Sequence, residues 1–460
     1  MTAPDTVANT NITLDRGAPS RHDSIRSTHS RDLPHASAPR PTYRKLIWFY
    51  ADGVELYKQL RMDPRRNPFA PGAGSRPPEL AGREDVLETV AVALDRIRNG
   101  RHAQSMILLG LRGVGKTVLL NAMRRAAEGE GILSVPIEAP EGQSLPAMLV
   151  PALRTAMLKL DRGQAAMTLA KRGLGALARF VKAFKLSYGE LEASLDLGEI
   201  GVADNGDLEA DLIDLIDLAG AAAAERGTAL VLFIDELQYV PERELAALIT
   251  ALHRARQNDR PITLVAAGLP QLAGQMGKAK SYAERLFLFT SLGPLGAEAA
   301  SAAIVHPIEA EDCAIEADAV AQIIAVTEGY PYFLQEWGKQ CWDAADACPI
   351  TAADVELAHP TAIAALDASF FRVRFDRLTP SEKRYLRGMA DLGEGPFAST
   401  AIADHIGRKP SSFGPVRASL IAKGMIYTPG YGETAFTVPM FGAFMRRAMP
   451  VADAAAGQGE

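Results

Sequence analysis

A chain of 460 residues, 48% hydrophobic and 23% charged, has apolar material for two or three cores and the balance of an ordinary globular protein. A net charge of −6 excludes a general polyanion binder, so any nucleic-acid surface has to be local. No apolar run reaches the roughly 18–20 residues needed to span a bilayer, and no charged start precedes an apolar core, so a cytoplasmic protein without a membrane partner is expected.

Residues 1–44 are rich in Ser, Thr, Arg, His and Pro without apolar periodicity, and short helical stretches follow at Leu46–Tyr50 and Val54–Leu60. The character changes at Met62, which precedes Asp-Pro-Arg-Arg-Asn-Pro-Phe69. We therefore expect residues 1–61 to be a disordered extension and Met62 to be the natural start.

From Pro77 onward helices and strands alternate. Glu84–Asn99 has an amphipathic helical pattern ended by Gly100, and Ser105–Gly110 is a short buried strand followed by a helix over Lys116–Glu128. Ile132–Ile137, Ala229–Ile234, Ile262–Ala267 and Leu286–Leu292 complete a set of five strands, which predicts a parallel sheet covered on both faces. An insertion over 139–227 interrupts the pattern. Its Lys171–Lys185 stretch is a basic amphipathic helix, which packs on the core rather than meeting a membrane or nucleic acid on the simpler reading. Leu186–Leu197 alternates like a hairpin, and residues 296–368 are helical throughout. The three cysteines, Cys313, Cys341 and Cys348, form no CxxC pair and are expected as buried thiols.

The chemistry is concentrated in two places. Gly110-Leu-Arg-Gly-Val-Gly115-Lys116-Thr117 lies between a strand and a helix, the context a phosphate-binding loop requires. Its glycines let the backbone curl so that N–H groups point at phosphates, and the following helix directs its positive end at the same charge. Gly110, Leu111, Arg112, Gly113, Val114, Gly115, Lys116, Thr117 and Val118 are the expected ATP-binding residues. Lys116 would reach the β- and γ-phosphates, Thr117 would ligate Mg²⁺, and Arg112 is expected to face solvent. The second place is Leu230-Val-Leu-Phe-Ile-Asp235-Glu236, an apolar strand running into two carboxylates. Asp235 would hold Mg²⁺ through water, and Glu236 would polarise the attacking water. The end of the fourth strand, Leu264-Val-Ala-Ala-Gly268-Leu-Pro270, offers no polar side chain beyond Thr263 earlier in the strand, and slow, switch-like hydrolysis is expected.

Together with Leu80-Ala-Gly-Arg83-Glu84, Ile234-Asp-Glu-Leu-Gln238, Gly268-Leu-Pro270, Tyr282-Ala-Glu-Arg285-Leu-Phe and Gly329-Tyr-Pro331-Tyr-Phe-Leu334, these motifs resemble the AAA-type ATPases near the archaeal origin-recognition and STAND groups, over about residues 77–365. The resemblance implies that Ala81, Gly82, Arg83 and Pro331 approach the adenine base. It gives Arg285 a place where such proteins put an arginine that reaches a neighbouring subunit's γ-phosphate; a salt bridge to Glu284 or Glu298 is the alternative.

At the C-terminus, helices over Pro380–Met389, Ser399–Ile406 and Ser412–Lys423 and a strand pair, Gly424–Tyr427 and Thr434–Val438, make a winged helix over 370–448. Residues 372–448 hold twelve Lys or Arg against six Asp or Glu, which is +6, with Arg408, Lys409, Arg417 and Lys423 on or beside the third helix. Double-stranded DNA is therefore the expected partner of residues 399–438. The expected whole is an α/β P-loop NTPase with a five-stranded parallel sheet over 77–295, a helical lid over 296–368, a C-terminal winged helix and a loose tail from 449. The expected function is an ATP-driven switch on DNA. A STAND-like scaffold whose winged helix packs on protein, and a self-associating ring or transposon-helper ATPase, stand as alternatives.

Overall fold

A computed structural model describes residues 62–450 except 73, 76, 161–163, 185–205 and 394. The N-terminal extension over 1–61, the hairpin expected at Leu186–Leu197 and residues 451–460 of the expected tail lie outside the described residues.

The centre is a parallel sheet of β1 (Ser105–Gly110), β2 (Leu133–Glu138), β3 (Leu230–Asp235), β4 (Ile262–Gly268) and β5 (Phe287–Leu292), in the order β2-β3-β4-β1-β5. The three central strands are buried along their whole length, as their unbroken apolar runs require. Pro136 sits in β2, an edge strand paired only with β3, where a missing N–H is tolerated. Alternate residues feed two cores: Met106 and Leu108 face one side of the sheet, Ile107 and Leu109 the other.

Helices α1 (Glu84–Arg98) and α2 (Lys116–Gly129) cover the first side through Val90, Leu94, Leu119 and Met123. The insertion supplies α3 (Leu145–Leu160), α4 (Gln164–Ala183) and α5 (Leu208–Glu225), which cover the second side with α6 (Glu242–Gln257). On α4, Leu174, Leu177, Phe180 and Val181 are all buried, each contributing roughly 1.5–3 kcal/mol of apolar transfer. The insertion is therefore a thick flank of the sheet. The short helices α7 (Leu272–Ala279) and α8 (Ala283–Leu286) lead from β4 into β5.

The lid consists of α9 (Ala297–Ala310), α10 (Ala317–Thr327), α11 (Pro331–Ala344) and α12 (Ala352–Ala365). Two of the three cysteines depart from expectation: Cys313 and Cys348 are disulfide-bonded, with Cα atoms 5.6 Å apart, and only Cys341 is a buried thiol. The backbone brings the pair together, because Ile350 N–H donates to Ala314 O and Glu316 N–H to Ile350 O, each at 2.9 Å. The segment from Met62 to Phe69, which sequence periodicity leaves without a role, is laid along α11. Trp342 Nε1 donates to Asp63 O at 3.1 Å, Asn67 Nδ2 to Asp343 Oδ1 at 2.8 Å, and the Phe69 ring covers Gly338.

No linker separates the lid from the C-terminal domain. Helix α12 continues through a π-helical turn at Leu366–Phe371 directly into α13 (Arg372–Asp376), so the boundary expected near residue 369 falls inside one helix. Next come α14 (Pro380–Asp391), β6 (Phe397–Ala398), α15 (Ser399–Ile406), α16 (Gly414–Ala422), β7 (Ile426–Tyr427), β8 (Glu433–Phe436) and α17 (Phe441–Ala448), with an antiparallel sheet in the order β6-β8-β7. Of these, β6, α13 and α17 lie outside the elements that the sequence pattern marks. Phe371, Phe375, Phe441 and Phe444 stack with ring centroids 5.3–5.8 Å apart and weld α17 to the lid helix. Among the described residues no helix is long and apolar enough to cross a membrane.

Thr379 caps α14 in a capping box with Glu382, and that carboxylate is also the hub of the small domain. It accepts from Thr379 N, Ser419 Oγ and Lys423 Nζ, each at 2.7 Å. Burial alone would raise the Glu382 carboxyl, but the Lys423, Ser419 and Thr379 donors outweigh it and hold the pKa down at about 2. A carboxylate held below its unfolded value stabilises fully above about pH 4.5, and the contribution is lost as pH falls through the folded value near 2. Glu382→Gln should cost about 2 kcal/mol at pH 7, and urea melts at pH 7 and pH 3 should show the gap to wild type narrowing at the lower pH.

Candidate functional site

Strand β1 ends in Gly110, and the chain then curls through Gly113 (φ +87°) and Gly115 (φ +91°) before α2 begins at Lys116. These left-handed angles favour glycine, and a Cβ on Gly113 would also lie 3.1 Å from the Tyr330 ring. The loop's N–H groups and the positive end of α2 face a cavity of about 700 Å³. Lys116 is buried on its floor, with Nζ donating to the Gly110 and Leu111 carbonyls at 2.9 Å each. Burial lowers the Lys116 pKa, while the nearby Glu236 and Asp235 push it back up.

Because β4 lies between β1 and β3, the carboxylates at the end of β3 stand one strand away from the loop. Thr117 Oγ1 donates to Asp235 Oδ2 at 2.6 Å. Burial raises the Asp235 pKa, with Glu236 adding to the effect. A hydroxyl and a carboxylate oxygen in contact at a phosphate-facing helix start are the hard donors that suit Mg²⁺, so the residues present fit that ion. Glu236 has φ +53°, a left-handed conformation that costs a non-glycine residue of order 1 kcal/mol and turns its carboxylate out of the strand line. Glu236 Oε2 accepts from Gln238 Nε2, and Gln238 Oε1 accepts the Leu269 N–H at 3.1 Å. The amide of Gln238 thus ties Glu236 to the backbone just beyond β4.

Of the expected nucleotide residues, Arg83, Arg112, Gly113, Val114, Gly115, Lys116, Thr117, Val118 and Pro331 line the cavity with Ala81, Asp235 and Glu236. Gly110 and Leu111 sit beneath it and hold Lys116, and Gly82 takes a turn conformation (φ +69°) beside Ala299. Arg83 Nη2 donates to Gly293 O at 2.5 Å. Arg285 is exposed and lies outside this cavity, beside His102, His253 and Arg256, and it makes no ion pair among the described residues, so the alternative bridge to Glu284 or Glu298 is not formed.

Arg112 does not face solvent as expected. Its guanidinium donates to the Tyr239 hydroxyl and packs on Gly424, and its backbone N–H donates to Thr437 O at 3.4 Å. The C-terminal domain has closed over it. The lid grips the same turn, with Tyr330 Oη donating to Arg112 O at 2.8 Å and Tyr332 N–H to Gly113 O at 3.2 Å. Burial pushes the Tyr330 phenol well above its ordinary pKa. The cavity wall also contains residues that no motif announced: Gly72, Gly74 and Ser75 from the segment before α1, and Phe370 and Arg374; Tyr332, inside the 329–334 motif, joins them.

The expected DNA-facing cations are a second correction. Arg417 donates to Thr434 Oγ1 at 3.0 Å, to Thr428 Oγ1 at 2.6 Å and to Glu433 O at 3.0 Å, which fixes the strand pair to α16. Lys423 is spent on Glu382 and on Arg377 O. Arg387 pairs with Asp391, Arg447 with Asp367 and Arg377 with Glu141, so part of the +6 excess is held in ion pairs, with the Arg387 side chain buried and those of Arg447 and Arg377 exposed. Arg408 and Lys409 remain exposed at the turn between α15 and α16.

Comparison with known proteins agrees with this geometry. Residues 79–265 match the family described as AAA ATPase domain, and residues 368–445 match a Domain of unknown function (DUF8462). No curated protein matches the chain. Among solved structures, a Walker-type ATPase of Pyrococcus abyssi is similar at 14% identity and a TM-score of 0.52, over 81% of this chain and 97% of that one. At TM-scores of 0.42 and 0.40 are the Orc1 protein of Aeropyrum pernix in complex with DNA (15% identity, 84% and 97% covered) and the RuvB Holliday junction branch migration motor of Thermotoga maritima (16%, 79% and 96%). Loop, sheet order and family match concur: the fold is that of a P-loop NTPase, and residues 79–265 are a domain of the AAA ATPase family.

Proposed function

We propose that the protein is a slow ATP-hydrolysing switch whose C-terminal domain responds to the nucleotide. The observation that carries this reading is the meeting of Lys116, Thr117, Asp235 and Glu236 in one cavity whose rim is closed by the lid and the C-terminal domain. The loop N–H groups and Lys116 neutralise the phosphates, and the buried ammonium exchanges two carbonyl contacts for phosphate oxygens. Thr117 and Asp235 would hold Mg²⁺, which when bound screens charge between the β- and γ-phosphates. Glu236 accepts a proton from the attacking water. Gln238 orients that carboxylate from a fixed point on the β4 end, the place where the strand itself offers no polar side chain.

DNA remains the proposed target of the switch. Support comes from the exposed Arg408 and Lys409, the adjacent exposed Ser411 and Ser412, and the fully exposed Tyr431 at the tip of the β7–β8 turn, in the helix-plus-hairpin order of a winged helix. The free side of Arg285 supports self-association as a further proposal.

Lys116→Ala should abolish binding of labelled ATP, while Glu236→Gln should keep affinity and lower kcat by about 10²-fold or more; hydrolysis that survives Glu236→Gln would refute the assignment. Gln238→Ala should cut kcat roughly tenfold or more with ATP affinity within about threefold, as expected for a misplaced base. Duplex binding, read by fluorescence anisotropy across salt concentrations, should weaken on Arg408→Glu with Lys409→Glu and lose about two units of log–log slope. No duplex binding at low salt in any nucleotide state would move the target to a protein.

A further inference from the structure

Arg374 is the one charged residue on the cavity wall contributed by the C-terminal domain, and neither the loop nor the strand motifs account for it. It sits on α13, directly after the π-helical turn at Leu366–Phe371. A π turn adds a residue to the helical repeat and rotates the next stretch of helix, and such turns concentrate at functional sites. Here the turn places Phe370 and Arg374 together on the nucleotide side. The guanidinium lies 3.9 Å from the Phe370 ring centroid, and that ring stacks on Tyr332, in the first turn of α11, at 4.5 Å.

The stack holds the guanidinium without neutralising it. One nitrogen donates to the Phe370 carbonyl, Nε is buried with no partner, and among the described residues no carboxylate stands within ion-pair distance. The largest charge influence is repulsive: burial, then the Arg112 guanidinium, bring the Arg374 pKa down to about 10, against weaker opposing effects of Tyr332, Glu236 and Tyr239. A half-buried cation facing another cation is costly unless an anion completes it. The carboxylate it does feel, Glu236, is the one assigned to the water that attacks the terminal phosphate.

We propose that Arg374 binds the γ-phosphate of ATP within the same chain, so that the C-terminal domain is a working part of the nucleotide site. This rests on the reading of the cavity as an ATP site. With ATP bound, the γ-phosphate oxygens accept from the free guanidinium N–H groups and offset the Arg112–Arg374 repulsion. After hydrolysis and phosphate release that repulsion returns, and the hold of α13 on the cavity loosens. The domain of unknown function thereby acquires a definite task, which is to distinguish ATP from ADP.

The test is fluorescence titration of the full chain with mant-labelled ATPγS and mant-labelled ADP. Wild type, Arg374→Ala, Arg374→Lys and Lys116→Ala are compared. Arg374→Ala should weaken ATPγS binding about tenfold more than ADP binding, and Arg374→Lys should recover part of the difference. Arg374→Gln, which keeps the stem over Phe370, replaces the alanine variant if that one does not fold. Equal losses for both nucleotides, or none, would overturn the proposal and leave Arg374 as a packing residue, because loss of the Phe370 contact alone does not discriminate a γ-phosphate. Failure of wild type to bind either nucleotide would instead remove the ATP reading itself, and the Arg374 proposal with it.

Discussion

The peptide groups of Arg112 and Gly113 bear the contacts on which the arrangement of the whole chain depends. A phosphate-binding loop must leave its N–H groups unpaired and convergent, which is unfavourable unless the rest of the turn is held from outside. In this protein the holding is shared. The lid bonds the turn through Tyr330 and Tyr332, and the C-terminal domain bonds it through Thr437 and the close approach of Gly424. A ligand that reshapes the loop therefore acts on both partners at once. Neither the lid nor the small domain needs a separate relay, because each already touches the phosphate-binding turn.

The interior explains why such a grip can transmit. Residues of the lid and the C-terminal domain belong to one apolar cluster that runs from Phe333 and Trp337 through Phe371 and Phe375 to Phe441 and Met445. Close-packed cores shift between discrete arrangements rather than deforming smoothly. The uninterrupted helical path from Ala352 to Asp376 adds a rigid lever along the same line. The other side of the sheet has a separate core, built by α3 to α6, and it contains none of the C-terminal contacts. The thick flank from the insertion thus stiffens the sheet on the side away from the lid and the C-terminal domain.

What the sequence made legible was what is local. The glycines of the loop, Lys116, Thr117, and the apolar run into Asp235 and Glu236 owe their geometry to a few neighbours in the chain, and the structure puts them where that pattern implies. The five strands and four lid helices follow from periodicity, with ends displaced by a residue or a few. Arg374 was illegible because its position depends on a π turn and on two domains meeting, and Arg112 because its environment is built by Gly424 and Thr437, more than 300 residues away. The Cys313–Cys348 disulfide likewise depends on two loops of the lid brought together by Ile315 and Ile350.

The misreading of Arg417 and Lys423 has the most general cause. Counting charges assigns each cation to solvent, whereas a small domain also secures its helices with charged hydrogen bonds beside its apolar core. Glu382 alone gathers the ends of α14 and α16 through Lys423, Ser419 and Thr379. Arg417 does the same for α16 and β8. Cations used in this way cannot also contact phosphates without dismantling the fold that presents them. A net-positive domain is thus evidence of a polyanion surface only for the cations left over. In this chain those include Arg408 and Lys409, on a turn, and the exposed Arg372 and Arg384, while the half-buried and uncompensated Arg374 lines the nucleotide cavity.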